Sequence, residues 1–168
     1  MREIVVIFIL VICCFLCCCN AANTSIDYSI VFDDFVYFGT KENEDGTLSI
    51  EGCFIIHSFE DLKDLCKEWH NNAFSNDYLD NPNQLGDCLR MYNDNYFKNE
   101  DLVIVSTWRW NKAINPKIHN IYIKDAILNI EIKKSRNTHT DEAVSFTFII
   151  ETNKNQTGDI SQIKIIEK

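Results

Sequence analysis

Hydrophobic and polar positions alternate along most of this chain, and the most apolar stretch beyond the amino terminus is Leu102-Val103-Ile104-Val105. An aromatic and acidic lead-in, Tyr92-Asn93-Asp94-Asn95-Tyr96-Phe97, precedes it, and Trp108-Arg109-Trp110 closes it. A short continuous apolar run between polar segments predicts a buried strand, here the central strand of a sheet with a tryptophan-rich tip. Ser25 to Gly39 is rich in β-branched and aromatic residues and predicts a strand broken or bulged at Asp33-Asp34. Lys41 to Gly46 is a charged turn with Gly46 available for positive φ. Thr47 to His57 resumes as a second strand, so the first two elements read as a hairpin.

Helical spacing takes over at Ser58. Its hydroxyl can cap the first free amides, Glu60 and Asp61 suit the first turn, and Phe59, Leu62, Leu65, Cys66 and Trp69 form one apolar stripe. Asn76 to Asp87 is a polar loop containing Pro82 and Gly86, and Leu85, Cys88, Leu89 and Tyr92 predict a second short helix. Ile118–Lys124 and Ile127–Lys134 form a hairpin about Asp125-Ala126, with Leu128, Ile130 and Ile132 on one face and Asn129, Glu131 and Lys133 on the other. Ser135 to Glu142 is polar loop. Val144, Phe146, Phe148 and Ile150 mark a half-buried strand, and Ile160 to Ile166 a last one. The fold class is α+β: a mostly antiparallel sheet or partly closed barrel of about seven strands, with one or two helices inserted after the second strand.

Composition adds location and sign. Ile4 to Cys19 carries no charge, yet is shorter than the roughly 20 residues a bilayer-spanning helix needs. It reads as a secretory signal with Cys19-Asn20-Ala21 before the cleavage point. A lipoprotein signal at Leu16-Cys17-Cys18-Cys19 and an uncleaved anchor stay open beside it. Residues 1–22 are therefore signal or anchor and 23–168 a single α+β domain, at the cell surface or outside the cell. No membrane contact is expected beyond such an anchor.

The 168 residues suffice for one core. A hydrophobic share of 46% argues for a folded globule. The net charge of −9 (16 basic against 25 acidic residues) repels phosphate backbones, so nucleic acid is not an expected partner. Five of the eight cysteines lie in the exported segment. Cys53, Cys66 and Cys88 remain, an odd number that suits buried thiols without an essential bridge, one bridge plus a free thiol being the alternative.

With the elements placed, residues 92–166 resemble the PrcB-type carboxy-terminal domain of small secreted Gram-positive proteins. The shared features are the Tyr92–Phe97 lead-in, the Leu102–Val105 strand, the alternating hairpin, and Thr140-Asp141-Glu142-Ala143 running into Phe146-Thr147-Phe148-Ile149-Ile150-Glu151. The chain departs from that pattern where a Gly-rich loop would follow the central strand, having Trp108-Arg109-Trp110-Asn111 and no Gly before Pro116. The resemblance implies an extracellular accessory or binding role, for the namesake association with a protease complex, and brings no catalytic residues.

Candidate chemistry is sparse. Cys53 with His57 and Cys66 with His70 have a nominal zinc spacing. Residues four apart on a strand stand about 13 Å apart, too far for Cys53 and His57 to share an ion, and Cys66 belongs to the apolar stripe. Cys53 or Cys88 with a base among His57, His119 and His139 lacks any recognisable catalytic context. Asp33-Asp34 face opposite sides of a strand and fit turn or edge roles. No catalytic, cofactor or metal site is therefore expected, and the protein is read as a non-enzymatic binding or accessory protein, with a protease inhibitor acting through loops Trp108–Pro116 and Ser135–Glu142 as the alternative. The candidate partner-binding residues are Trp108, Arg109 and Trp110, because Trp and Arg dominate binding hot spots. Strict alternation places both tryptophans on the face of Leu102 and Ile104. That leaves two readings open, core or interface.

Overall fold

A computed structural model describes residues 23–80, 82–110, 116–133 and 144–168. Its organising strand is β6 (Glu100–Trp110), buried on both faces. It lies in a four-stranded antiparallel sheet in the order β2 (Tyr28–Asp34), β9 (Val144–Asn153), β6, β5 (Gly52–Ile56). On one side, Leu102, Ile104 and Ile149 meet helices α1 (Phe59–Glu68) and α2 (Gln84–Leu89) through Leu62, Leu65, Leu85 and Leu89. On the other, Val103, Val105, Phe146, Phe148 and Ile150 pack against Ile121, Leu128, Ile130 and Ile132 of a second sheet. That sheet runs β1 (Thr24–Ser25), β7 (Lys117–Lys124), β8 (Ile127–Lys133), β10 (Gln162–Glu167). The architecture is three layers: helices, first sheet, second sheet. Double burial explains why Leu102–Val105 is continuously apolar instead of alternating.

The α+β class holds, with the sheets mostly antiparallel, but several expectations need correction. The described residues form ten strands instead of seven, in two stacked sheets and not a closed barrel, together with a small hairpin of β3 (Lys41–Glu42) and β4 (Leu48–Ser49). The first two predicted strands do not pair: β2 bonds β9 and β5 bonds β6, on opposite edges of one sheet. Thr47–His57 is split into β4 and β5, so the two longer helices follow the fifth strand. Of the two alternatives at Asp33-Asp34 the break holds, since β2 ends at this pair and Asp34 Oδ1 accepts the Phe35 amide at 2.7 Å, whereas the bulge falls earlier, between Ile30 and Phe32. Strand β10 runs parallel to β8. Asn129 and Glu131, on the face of β8 opposite Leu128, Ile130 and Ile132, are buried as well, Glu131 pairing with Lys168 Nζ at 2.7 Å.

Local chemistry accounts for the element ends. The Ser58 hydroxyl accepts the Asp61 amide at 3.1 Å and starts α1. Its C-terminus is wrapped by His70 at φ 48°, with the His70 amide on Lys67 O and the Asn71 amide on Cys66 O at 2.7 Å, a Schellman closure. Asn71 Nδ2 then donates to Phe38 O at 2.5 Å, tying the helix end to the chain leaving β2. Gly46 has φ 78° as expected.

The β7–β8 turn places Asp125 at φ 53° and Ala126 at φ 59°, the geometry of a two-residue type I′ hairpin that favours glycine at its second position. An alanine held there is strained. Ala126→Gly is expected to raise stability by about 0.5–1 kcal/mol, after the entropic cost of glycine is subtracted. Urea titration of the two proteins measures it: the midpoint rises while the slope stays constant.

Candidate functional site

The tip of β6 is a bulge. Thr107 pairs with Phe146 and Trp110 with Val144, three steps on β6 against two on β9, so strict alternation stops after Thr107. Trp108 does not continue the core: it is 43% exposed, where Leu102 and Ile104 are fully buried. Its amide donates to Glu51 Oε1 at 2.9 Å, the residue leading into β5. The side chains of Arg109 and Trp110 lie outside the described residues, as do 111–115 and 134–143, which carry most of the two loops expected of an inhibitor, and residues 1–22, the expected signal or anchor.

Just before Trp108, at Ser106 and Thr107, the two sheets part. On the opposite side β1 runs into β2 through two residues and joins the sheets, whereas on this side each ends in an edge strand, β5 and β10. Between them opens a cleft of about 360 Å³ lined by Glu51, Gly52, Cys53, Ser106, Thr107, Ile165 and Glu167. The Ser106 hydroxyl donates to Ile50 O, fixing the segment that enters β5.

A second constellation was not expected. Asp101, fully buried at the start of β6, holds His57 Nδ1 at 2.7 Å and accepts the Thr157 hydroxyl at 2.5 Å, both on Oδ2. Thr157 comes from α3 (Lys154–Thr157), and Lys154 Nζ lies 3.9 Å from Asp101 Oδ1 while donating to His57 O at 2.7 Å and Phe97 O at 2.9 Å. A carboxylate-held imidazole is the orienting half of a general base. A nucleophile would have to sit on its other nitrogen. Among the described residues no serine, threonine or cysteine side chain bonds it there, and the Thr157 hydroxyl is spent on the carboxylate. The geometry is that of a staple joining β5, β6 and α3. Its one sequence signal is an aspartate placed directly before the most apolar run.

The thiols are no better placed for chemistry. Cys53, Cys66 and Cys88 are free. Burial pushes the first two up to about 12, with Glu51 adding to the shift at Cys53, and burial raises Cys88 as well. A thiol needs its thiolate to react, so none of the three is expected to react with iodoacetamide at pH 8 in the native protein, while all three react after denaturation; intact mass reads the difference. These groups stay protonated in the folded state while the unfolded chain ionises. Their contribution to stability is therefore complete below about pH 9 and is lost as pH rises towards 12.

Among the described residues no group of three His, Cys, Asp or Glu side chains is placed to hold a metal ion, and no helix is long and apolar enough to cross a membrane. No protein-family model matches the chain, and no curated protein or solved structure matches it either.

Proposed function

We propose that this chain is a secreted or cell-surface, non-enzymatic binding or accessory protein that engages a protein partner at the tip of β6. The observation that carries the reading is Trp108, a large aromatic 43% exposed, one residue beyond Thr107 and held through its own amide to Glu51, both of which line the open cleft. Tryptophan is among the residue types most enriched at the hot spots of protein interfaces. The raised thiols, and a His57–Asp101 pair whose nearby hydroxyl is committed to the carboxylate, support a binding role over catalysis. The resemblance of residues 92–166 to an accessory domain points the same way.

Trp108→Ala tests it. Immobilised wild-type chain is compared with the variant for capture of envelope and secreted proteins of the producing cell. A specific partner is expected with the wild type, weakened about tenfold in the variant, with the melting temperature unchanged. Equal capture by both chains would sink the reading. Protease inhibition is a narrower form of the same proposal, using the same exposed tip, and titration against co-secreted proteases decides it by loss or retention of their activity.

A further inference from the structure

We propose that the partner docks by strand addition to the outer edge of β5, as an extended segment bearing Lys or Arg side chains; this rests on the binding role assigned to the Trp108 tip. Folded proteins guard their sheet edges, because an open row of backbone groups pairs with any strand it meets. Of the four edges of the two large sheets, three are guarded. Strand β1 has two residues; β2 is bulged between Ile30 and Phe32 and ends in Asp33-Asp34; β10 carries Lys164 and Glu167. Strand β5 differs on every count. Gly52-Cys53-Phe54-Ile55-Ile56 has no charge, pairs with β6 in five successive registers without a shift, and receives no hydrogen bond on its outer side from any described residue.

Its surroundings fit an occupant. The edge borders the cleft floored by Cys53 and Ile165, and Trp108 is tied to Glu51 at the entrance to β5. An added strand would place alternate side chains over that cleft while its backbone pairs with β5, the division of labour in strand-addition recognition. Charge sets the sign: a chain at −9 attracts a cationic segment and repels a second copy of itself. Self-pairing at this edge is therefore disfavoured.

The test uses the full chain and fluorescein-labelled decapeptides of alternating Val and Lys. Saturable binding by anisotropy is expected, about tenfold weaker when two consecutive central residues of the peptide are N-methylated, since methylation removes a donor from either edge and keeps every charge. A Val–Glu counterpart is expected not to bind. Hydrogen exchange should slow at Gly52–Ile56 when the peptide is added. Equal binding of the methylated peptide, no binding at all, or protection confined to β2 or β10 would overturn the proposal, as would a homodimer in sedimentation that excludes the peptide. If the peptide results fail while Trp108→Ala still loses the captured partner, strand addition falls and the binding role stands. If capture is unchanged in that variant, the binding role falls first.

Discussion

Asp101→Ala is expected to destabilise the protein by about 2–4 kcal/mol, the largest effect of any single change considered. Asp101 is fully buried, and its carboxylate is the common acceptor for His57 and Thr157 and the nearest countercharge to Lys154. Removing it leaves the buried Thr157 hydroxyl only long contacts, 3.5 Å to Asn153 O and 3.4 Å to Lys154 O, and leaves Lys154 as the side chain that ties α3 to the end of β5. His57 and Lys154, 45% and 38% exposed, can rehydrate, which keeps the cost below that of a fully enclosed pair. Asp101 Oδ1 already lacks a hydrogen-bond partner, so the wild type carries part of the burial penalty. Thr157→Val is the discriminating companion. It keeps the shape and removes one bond, and should cost about 1–2 kcal/mol. Denaturant titration of both variants checks the order; a loss for Asp101→Ala no greater than for Thr157→Val would mean that Asp101 contributes nothing beyond its bond to Thr157.

Gly39→Ala follows, at about 2–3 kcal/mol. A Cβ at position 39 would lie 2.1 Å from the carbonyl oxygen of Trp69. That oxygen is backbone at the closed end of α1, so the clash cannot be relieved by turning a side chain. The segment after β2 must pull away, straining the Asn71–Phe38 bond and the packing of Phe38 against Trp69 and Phe54. A drop in melting temperature of roughly 2–4 °C per kcal/mol lost, the scale for a domain of about 150 residues, reads it. An unchanged transition would show that the two segments do not meet this closely in solution.

Those two sites divide what the sequence reveals from what it does not. Patterns set by near neighbours were legible: the Ser58 cap, the stripe of α1, the Asp125-Ala126 hairpin and the doubly buried Leu102–Val105 run. Pairings across the chain were not. Alternation in Ser25–Gly39 and in Thr47–His57 is the same whether they bond each other or, as found, bond β9 and β6 separately. Nothing local marks β10 as parallel. The bulge that turns Trp108 outward is a one-residue mismatch between β6 and β9, invisible to a reading of β6 alone. Nothing near Asp101 in the sequence marks its role, because its partners His57 and Thr157 stand 44 and 56 residues away.

The position of β6 also dictates when this protein can become itself. Its two neighbours come from opposite ends of the chain, Gly52–Ile56 before it and Val144–Asn153 after it. During synthesis at about 5–20 residues per second, the side of β6 that bonds β9 waits roughly 2–8 s for that strand to be made. Through that interval the most apolar stretch of the folded part, Leu102–Val105, has an unpaired edge. Folding is a late, whole-chain event, and any chain ending before β9 keeps its stickiest strand open to whatever it meets first.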